Sequence, residues 1–180
     1  LDEEAYAERM RALARRYPRD ADIATFAAEA ILNLHPYDWW AQDGSARPWT
    51  AEIRTLLTRA LAIAPGHPGA NHYWVHLMES SAHPGEAQAS ADRLTRLVPG
   101  SGHLTHMPAH IHMRTGRYAA AVAANERAIA ADERYVGQVD AQGAYRVGYV
   151  AHNRHFLWAA AAMDGRSAAA LAAARDAFPS

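Results

Sequence analysis

The chain has 180 residues, half of them hydrophobic, with 18 Lys and Arg against 19 Asp and Glu and no cysteine. The near-neutral charge argues against a surface for nucleic-acid phosphates, and no apolar run approaches the roughly 20 residues that a membrane span requires. Without cysteine there are no disulfides, no thiolate catalysis and no Cys-ligated zinc, so any metal site must use His, Asp or Glu.

The first predicted elements are amphipathic helices. In AYAERMRALARRY, the side chains of Met10, Leu13 and Tyr17 fall on one helical stripe. The stretches ADIATFAAEAILNL and AEIRTLLTRALAIA, which begin at 21 and 51, repeat this period. No stretch alternates with the period of a strand, so we expect no sheet beyond a short ribbon within 36–49.

Proline and glycine separate the predicted helices, because proline lacks the donor N–H and glycine accepts a left-handed φ. These separators lie at 17–20, 64–69, 81–86, 98–102, 114–118 and 163–167. Pro108 lies inside a predicted helix and should kink it or mark a late start.

The separators are periodic. PGHPGANHYWVH begins at 65 and PGSGHLTHMPAH begins at 99, 34 residues later, which is the period of the tetratricopeptide repeat. The pattern predicts an all-α fold of antiparallel helix pairs stacked in a right-handed superhelix. The expected single array over 1–180 consists of a half-repeat at 2–17, units at about 20–64, 68–98, 102–133 and 147–178, and insertions at 35–49 and 134–146.

The stretches NLHPYDWWAQDG, 57–133 and GYVAHNRHFLWAAAAMDGRSAAAL carry a more specific similarity. They resemble a bacterial family of tetratricopeptide-repeat proteins of unassigned activity. The resemblance covers most of the chain and implies the repeat fold, but no activity or compartment. Family members are generally longer, the first helix lacks a partner, and the chain has neither a Met start nor a signal-peptide pattern. We therefore expect a fragment whose partner is the remainder of a longer chain or another protein.

Histidine is concentrated in HLTHMPAHIHM, which holds four of the eleven histidines. The 34-residue shift aligns His72 with His106 and His76 with His110. Aligning the TGR turn at 115 with the DGR turn at 164, a shift of 49 residues, pairs His106 with His155 and His103 with His152. The resulting prediction is one concave pocket formed by His72, His76, His106, His110 and His155, with His103, His152 and Glu79 at its edge.

This arrangement predicts a transition-metal site. Neighbouring helices pack about 8–10 Å apart, so that imidazoles from two helices can share an ion at about 2.0–2.2 Å. Imidazoles beside carboxylates suit Zn²⁺, Cu²⁺, Fe²⁺ or Ni²⁺. The site would be structural or catalytic. In the catalytic case a bound water takes an open position and Glu79 or Glu29, which aligns with His76, serves as general base.

The alternatives stay open at this stage. Repeats copy residues by duplication, so the histidines are also explained as a packing feature of the scaffold. A second functional hypothesis is a metal-free scaffold whose concave groove binds a peptide, another protein or a small molecule. We expect His35, His67, His83 and His112 to be solvated or hydrogen-bonded, and the tryptophans of 35–49 to fold against the first helices.

Overall fold

The computed structural model describes residues 2–139, 143 and 145–177. Most of these residues are helical and none of them lies in a strand, which confirms the prediction of an all-α protein. Their one isolated antiparallel bridge pairs Trp40 with Ala46, inside the insertion where a short ribbon was expected. The chain divides into two compact units, Leu1–Ala87 and Gln88–Ser180, which are described in turn.

The described residues of the first unit form four α-helices and a terminal 3₁₀ turn: α1 (Glu3–Arg16), α2 (Ala21–Leu34), α3 (Thr50–Ile63), α4 (Pro68–Glu79) and the turn Pro84–Ala87. Helix α2 packs against α1, α3 and α4. Ala24, Ala60 and Ala70 meet where α2, α3 and α4 approach, and all three are fully buried. Small side chains at these positions let the helix backbones come close together.

Side chains cap the starts of α1, α2 and α4. The Oδ1 atom of Asp20 accepts from the backbone N–H of Ile23 at 2.9 Å, so α2 begins just after it. At the start of α4, the Nδ1 atom of His67 accepts from the N–H of Ala70 at 3.1 Å, and its other ring nitrogen lies 2.8 Å from Asp22 Oδ1. His67 is hydrogen-bonded, as expected, and joins α4 to the start of α2.

The insertion at 35–49 is anchored by its tryptophans. Trp39 is buried, with 5% of its surface exposed. The indole N–H of Trp40 donates to the carbonyl of Leu77 in α4 at 2.7 Å, and the Trp49 ring stacks on His35 with centroids 3.6 Å apart. The prediction that this loop folds back onto the helices is confirmed.

The described residues of the second unit form six α-helices and one π-helical segment: α5 (Gln88–Leu97), α6 (Gly102–His106), α7 (Pro108–Arg114), α8 (Tyr118–Val139), the π-helical segment Tyr145–Val150, α9 (Ala151–Met163) and α10 (Ser167–Ala177). Helices α6, α7 and α9 pack against α8, and α10 packs against α9. Their core is rich in alanine, with Ala121 and Ala124 of α8 against Ala160 and Ala161 of α9.

The helix ends fall where proline and glycine predicted them, as at 17–20, 98–101 and 164–166. One boundary differs, because α8 continues to Val139 and so includes the first six residues of the predicted 134–146 insertion. Residues 140–142 and 144 of that insertion lie outside the described residues. None of the described helices combines the length and the apolar character that crossing a membrane requires.

Candidate metal centre

The break between α6 and α7 sets the direction of two histidines. Helix α6 ends at His106, and Pro108 opens α7 after the single intervening residue Met107. Because Pro108 has no backbone N–H, the regular hydrogen-bond ladder cannot continue through it. The N–H of His110 instead bonds to the carbonyl of Met107 at 3.2 Å. The predicted interruption at Pro108 is confirmed.

Three histidines from three helices meet beside this break. The Nε2 atom of His106 in α6 lies 2.8 Å from Nε2 of His110 in α7 and 3.1 Å from Nε2 of His152 in α9. His106 is fully buried, His110 is 8% exposed, and His152 is half-buried. Each residue offers one ligand nitrogen, and the three nitrogens lie within 4.8 Å of one another. We call these three residues the buried triad.

A neighbouring asparagine fixes the tautomer of His106. The side-chain N–H of Asn125 donates to the carbonyl of Ala121 at 2.8 Å, so its Oδ1 atom faces His106 Nδ1 at 2.6 Å. An amide oxygen only accepts, and therefore Nδ1 carries the proton. The Nε2 atom of neutral His106 then presents its lone pair to His110 and His152. Metal-binding histidines typically donate their second ring N–H to an oxygen in this way.

Burial keeps His106 neutral. It lowers the pKa of His106 well below 6.5, and the nearby His110 lowers it further, while the hydrogen bond to Asn125 opposes the shift. Phe156 packs against all three rings, with centroids 4.8 Å from His106, 4.6 Å from His110 and 5.2 Å from His152. The triad thus combines the neutral ring of His106 with an apolar wall.

The nitrogen spacing fits a shared ion. Two nitrogens bound at about 2.0–2.1 Å to one zinc ion, with an angle of about 90–110° between them, are about 2.9–3.4 Å apart. The observed separations from His106 Nε2, 2.8 and 3.1 Å, are within a few tenths of an ångström of this range. Without an ion, His110 and His152 would both have to donate to the single lone pair of that nitrogen.

A buried carboxylate links the helical segments around the triad through hydrogen bonds. Asp132 of α8 is fully buried, and it accepts from the Tyr145 hydroxyl at 2.7 Å and from the Asn153 side chain at 2.7 Å. Burial, followed by the hydrogen bond to Asp132, raises the pKa of Tyr145. A Cβ atom at Gly102 would lie 1.8 Å from Asp132 Oδ1, so only glycine fits at the start of α6. Asn153 directly follows His152, and the carboxylate thereby fixes α9 near the triad.

The other predicted histidines of this unit lie around or outside the triad. The His103 ring is 6.5 Å from His106 and packs edge-on against Tyr149, which places it beside the triad. His155, which the sequence alignment equates with His106, is exposed and stacks on Trp158. In the structure His152, and not His155, contacts His106. Residue 155 lies about 60° around α9 from residue 152 and therefore points in a different direction.

The first unit holds the remaining predicted residues. His72 and His76 of α4 have rings 4.7 Å apart, and His76 Nδ1 lies 2.9 Å from Glu79 Oε1. Glu29 of α2 accepts from the Tyr73 hydroxyl at 2.7 Å. That five histidines form one pocket with His103, His152 and Glu79 at its edge, and that Glu79 or Glu29 acts as a base, stay predictions.

Sequence reasoning did not identify Asn125 or Asp132. Asn125 and Asp132 are seven residues apart and lie on one buried stripe of α8 with Ala128 between them. A polar residue on the apolar stripe of a predicted helix was the available signal, since buried polar groups require partners.

Comparisons of the chain with protein-family models, with curated proteins and with solved structures give no match. The resemblance to a tetratricopeptide-repeat family therefore stays a prediction, and the site is interpreted from its own geometry.

Proposed function

We propose that this chain is a tetratricopeptide-like helical module that binds a divalent transition-metal ion through His106, His110 and His152. The observation that carries the proposal is the convergence of three Nε2 atoms, with the lone pair of one fixed inward by Asn125. Imidazole ligands without thiolates suit Zn²⁺, Cu²⁺ or Fe²⁺.

The ligand set supports an open coordination position. Three neutral imidazoles leave the positive charge of the ion uncompensated, and such three-histidine sites commonly hold water as the fourth ligand. A bound ion lowers the pKa of that water and so generates a nucleophile near neutral pH. The site therefore suits hydrolytic chemistry on a carbonyl or phosphoryl group. A bound ion that only stabilises the fold is the structural alternative within the same proposal.

Calorimetric titration with Zn²⁺ and Cu²⁺ tests the proposal on untagged, metal-stripped protein. The intact chain should bind saturably at pH 7.5 and more weakly at pH 5.5, because protons compete for imidazoles below about pH 6.5. His106→Ala should lose the tight binding. Absence of saturable binding, or equal binding by the variant, would contradict the metal proposal.

A metal-free partner scaffold is the second candidate. Exposed apolar side chains on the last helix pair favour it: Trp158 is 39% exposed, Met163 56% and Leu171 60%. Where exposed apolar residues adjoin one another, they form patches that are typical of surfaces that contact another protein. This candidate takes precedence if the titration finds no metal binding.

A further inference from the structure

The first unit has a histidine pair of its own on α4. His72 and His76 are four residues apart, and on a helix such residues are stacked neighbours. Their rings are 4.7 Å apart with an angle of 76° between the planes. Their ligand nitrogens lie within 4.8 Å of each other. Rotation about the side-chain torsions therefore suffices for both rings to reach one ion.

A carboxylate orients one of these two rings. Glu79 Oε1 lies 2.9 Å from His76 Nδ1, and the two side chains are only 19% and 16% exposed. An ionised carboxylate only accepts, so Nδ1 donates, and in the neutral form of the ring the lone pair lies on Nε2. A carboxylate behind a histidine raises the basicity of the ligand nitrogen and orients the ring. Its negative charge also offsets part of the charge of a bound cation.

We infer that His72 and His76, with Glu79 as the orienting group, form a second binding site for Zn²⁺ or a similar divalent transition ion. This inference uses only residues of the first unit and does not depend on the buried triad. With two imidazoles instead of three, and with partly exposed side chains, the site binds more weakly than the triad and exchanges its ion faster.

Zinc titration of the untagged chain tests the inference with four variants. The intact protein should bind two ions in two affinity classes. The double variant His72→Ala/His76→Ala should lose only the weaker class, and His106→Ala only the tighter one. Glu79→Gln should keep two ions but weaken the weaker class about 10–100-fold, the usual effect of removing a group that orients a ligand. His83→Ala, which changes an exposed histidine in a turn, is the matched control.

Several results would overturn the inference. One such result is that the double variant still binds two ions. Another is that the intact protein binds a single ion, which only His106→Ala removes; this second result would leave the proposed function standing. A single ion lost in both His106→Ala and the double variant would show one shared site. No binding at all would overturn both proposals. Circular dichroism checks each fold, and His76→Gln replaces the double variant if that variant does not fold.

Discussion

The Nε2 atoms of His106 and His152 lie 3.1 Å apart, although 46 residues separate them in the chain. His155, three residues further along α9, stacks on Trp158 instead. These two histidines of one helix therefore have different expected roles in metal binding.

His152→Ala should weaken Zn²⁺ binding at least about tenfold, since even the loss of a group that only orients a ligand costs that much. His155→Ala should change the affinity by less than about twofold, because the ring lies outside the buried triad. Competition with a chromophoric chelator measures both. Equal losses in the two variants would mean that the triad does not define the site.

Asn125 should control the tautomer of His106. In the metal-free protein, the ring-nitrogen NMR signals of His106 should show a protonated Nδ1, because Asn125 Oδ1 accepts from it. Asn125→Leu should abolish this preference and weaken Zn²⁺ binding about 10–100-fold. Asn125→Asp keeps an acceptor and should retain binding. If Asn125→Leu binds as the intact chain does, the asparagine has only a packing role.

Acid should destabilise the metal-free protein through two buried histidines. Burial lowers the pKa of His106, and burial followed by the charge of Arg117 lowers that of His112. An unfolded histidine has a pKa near 6.5, so below that pH the unfolded chain binds more protons than the folded one. The free energy of unfolding should therefore fall as the pH drops below about 6.5, by up to about 1.4 kcal/mol per pH unit for each histidine.

Urea unfolding in chelator between pH 7.5 and 5 measures this dependence. His112→Gln should reduce the slope, because that histidine is 4% exposed and its buried Nδ1 has no hydrogen-bond partner among the described residues. His83→Gln, in an exposed turn, should leave the slope unchanged. An unchanged slope in His112→Gln would show that His112 does not contribute.

Gly102→Ala should destabilise the second unit, because the added Cβ would lie 1.8 Å from Asp132 Oδ1. We expect a loss of about 1–3 kcal/mol in the free energy of unfolding, the usual cost of overpacking a core. Gly137→Ala is the control, since among the described residues no atom beyond the adjacent helix backbone lies within 4 Å of its added Cβ. It removes a glycine from inside α8 and should stabilise the protein by up to about 1 kcal/mol. Thermal unfolding compares the two variants. A Gly102→Ala variant as stable as the intact chain would contradict the observed packing.

The sequence by itself determined the helices and the pairs of residues within them. Proline and glycine end a helix through local chemistry, so the boundaries at 17–20 and 98–101 could be predicted from neighbouring residues alone. Helical spacing is also local, and it placed His72 beside His76 and His106 beside His110.

Only the tertiary structure decided which residues from different helices meet. The 49-residue alignment matched turns, but the face that a helix directs inward depends on its rotation about its own axis. The break at Met107 lies between His106 and the turn at 115, whereas α9 runs unbroken from His152 to the turn at 164, so equal distances from the two turns do not give equal faces. His152 therefore reaches His106 where the alignment favoured His155, and Asn125 and Asp132 acquire their partners from helices distant in sequence.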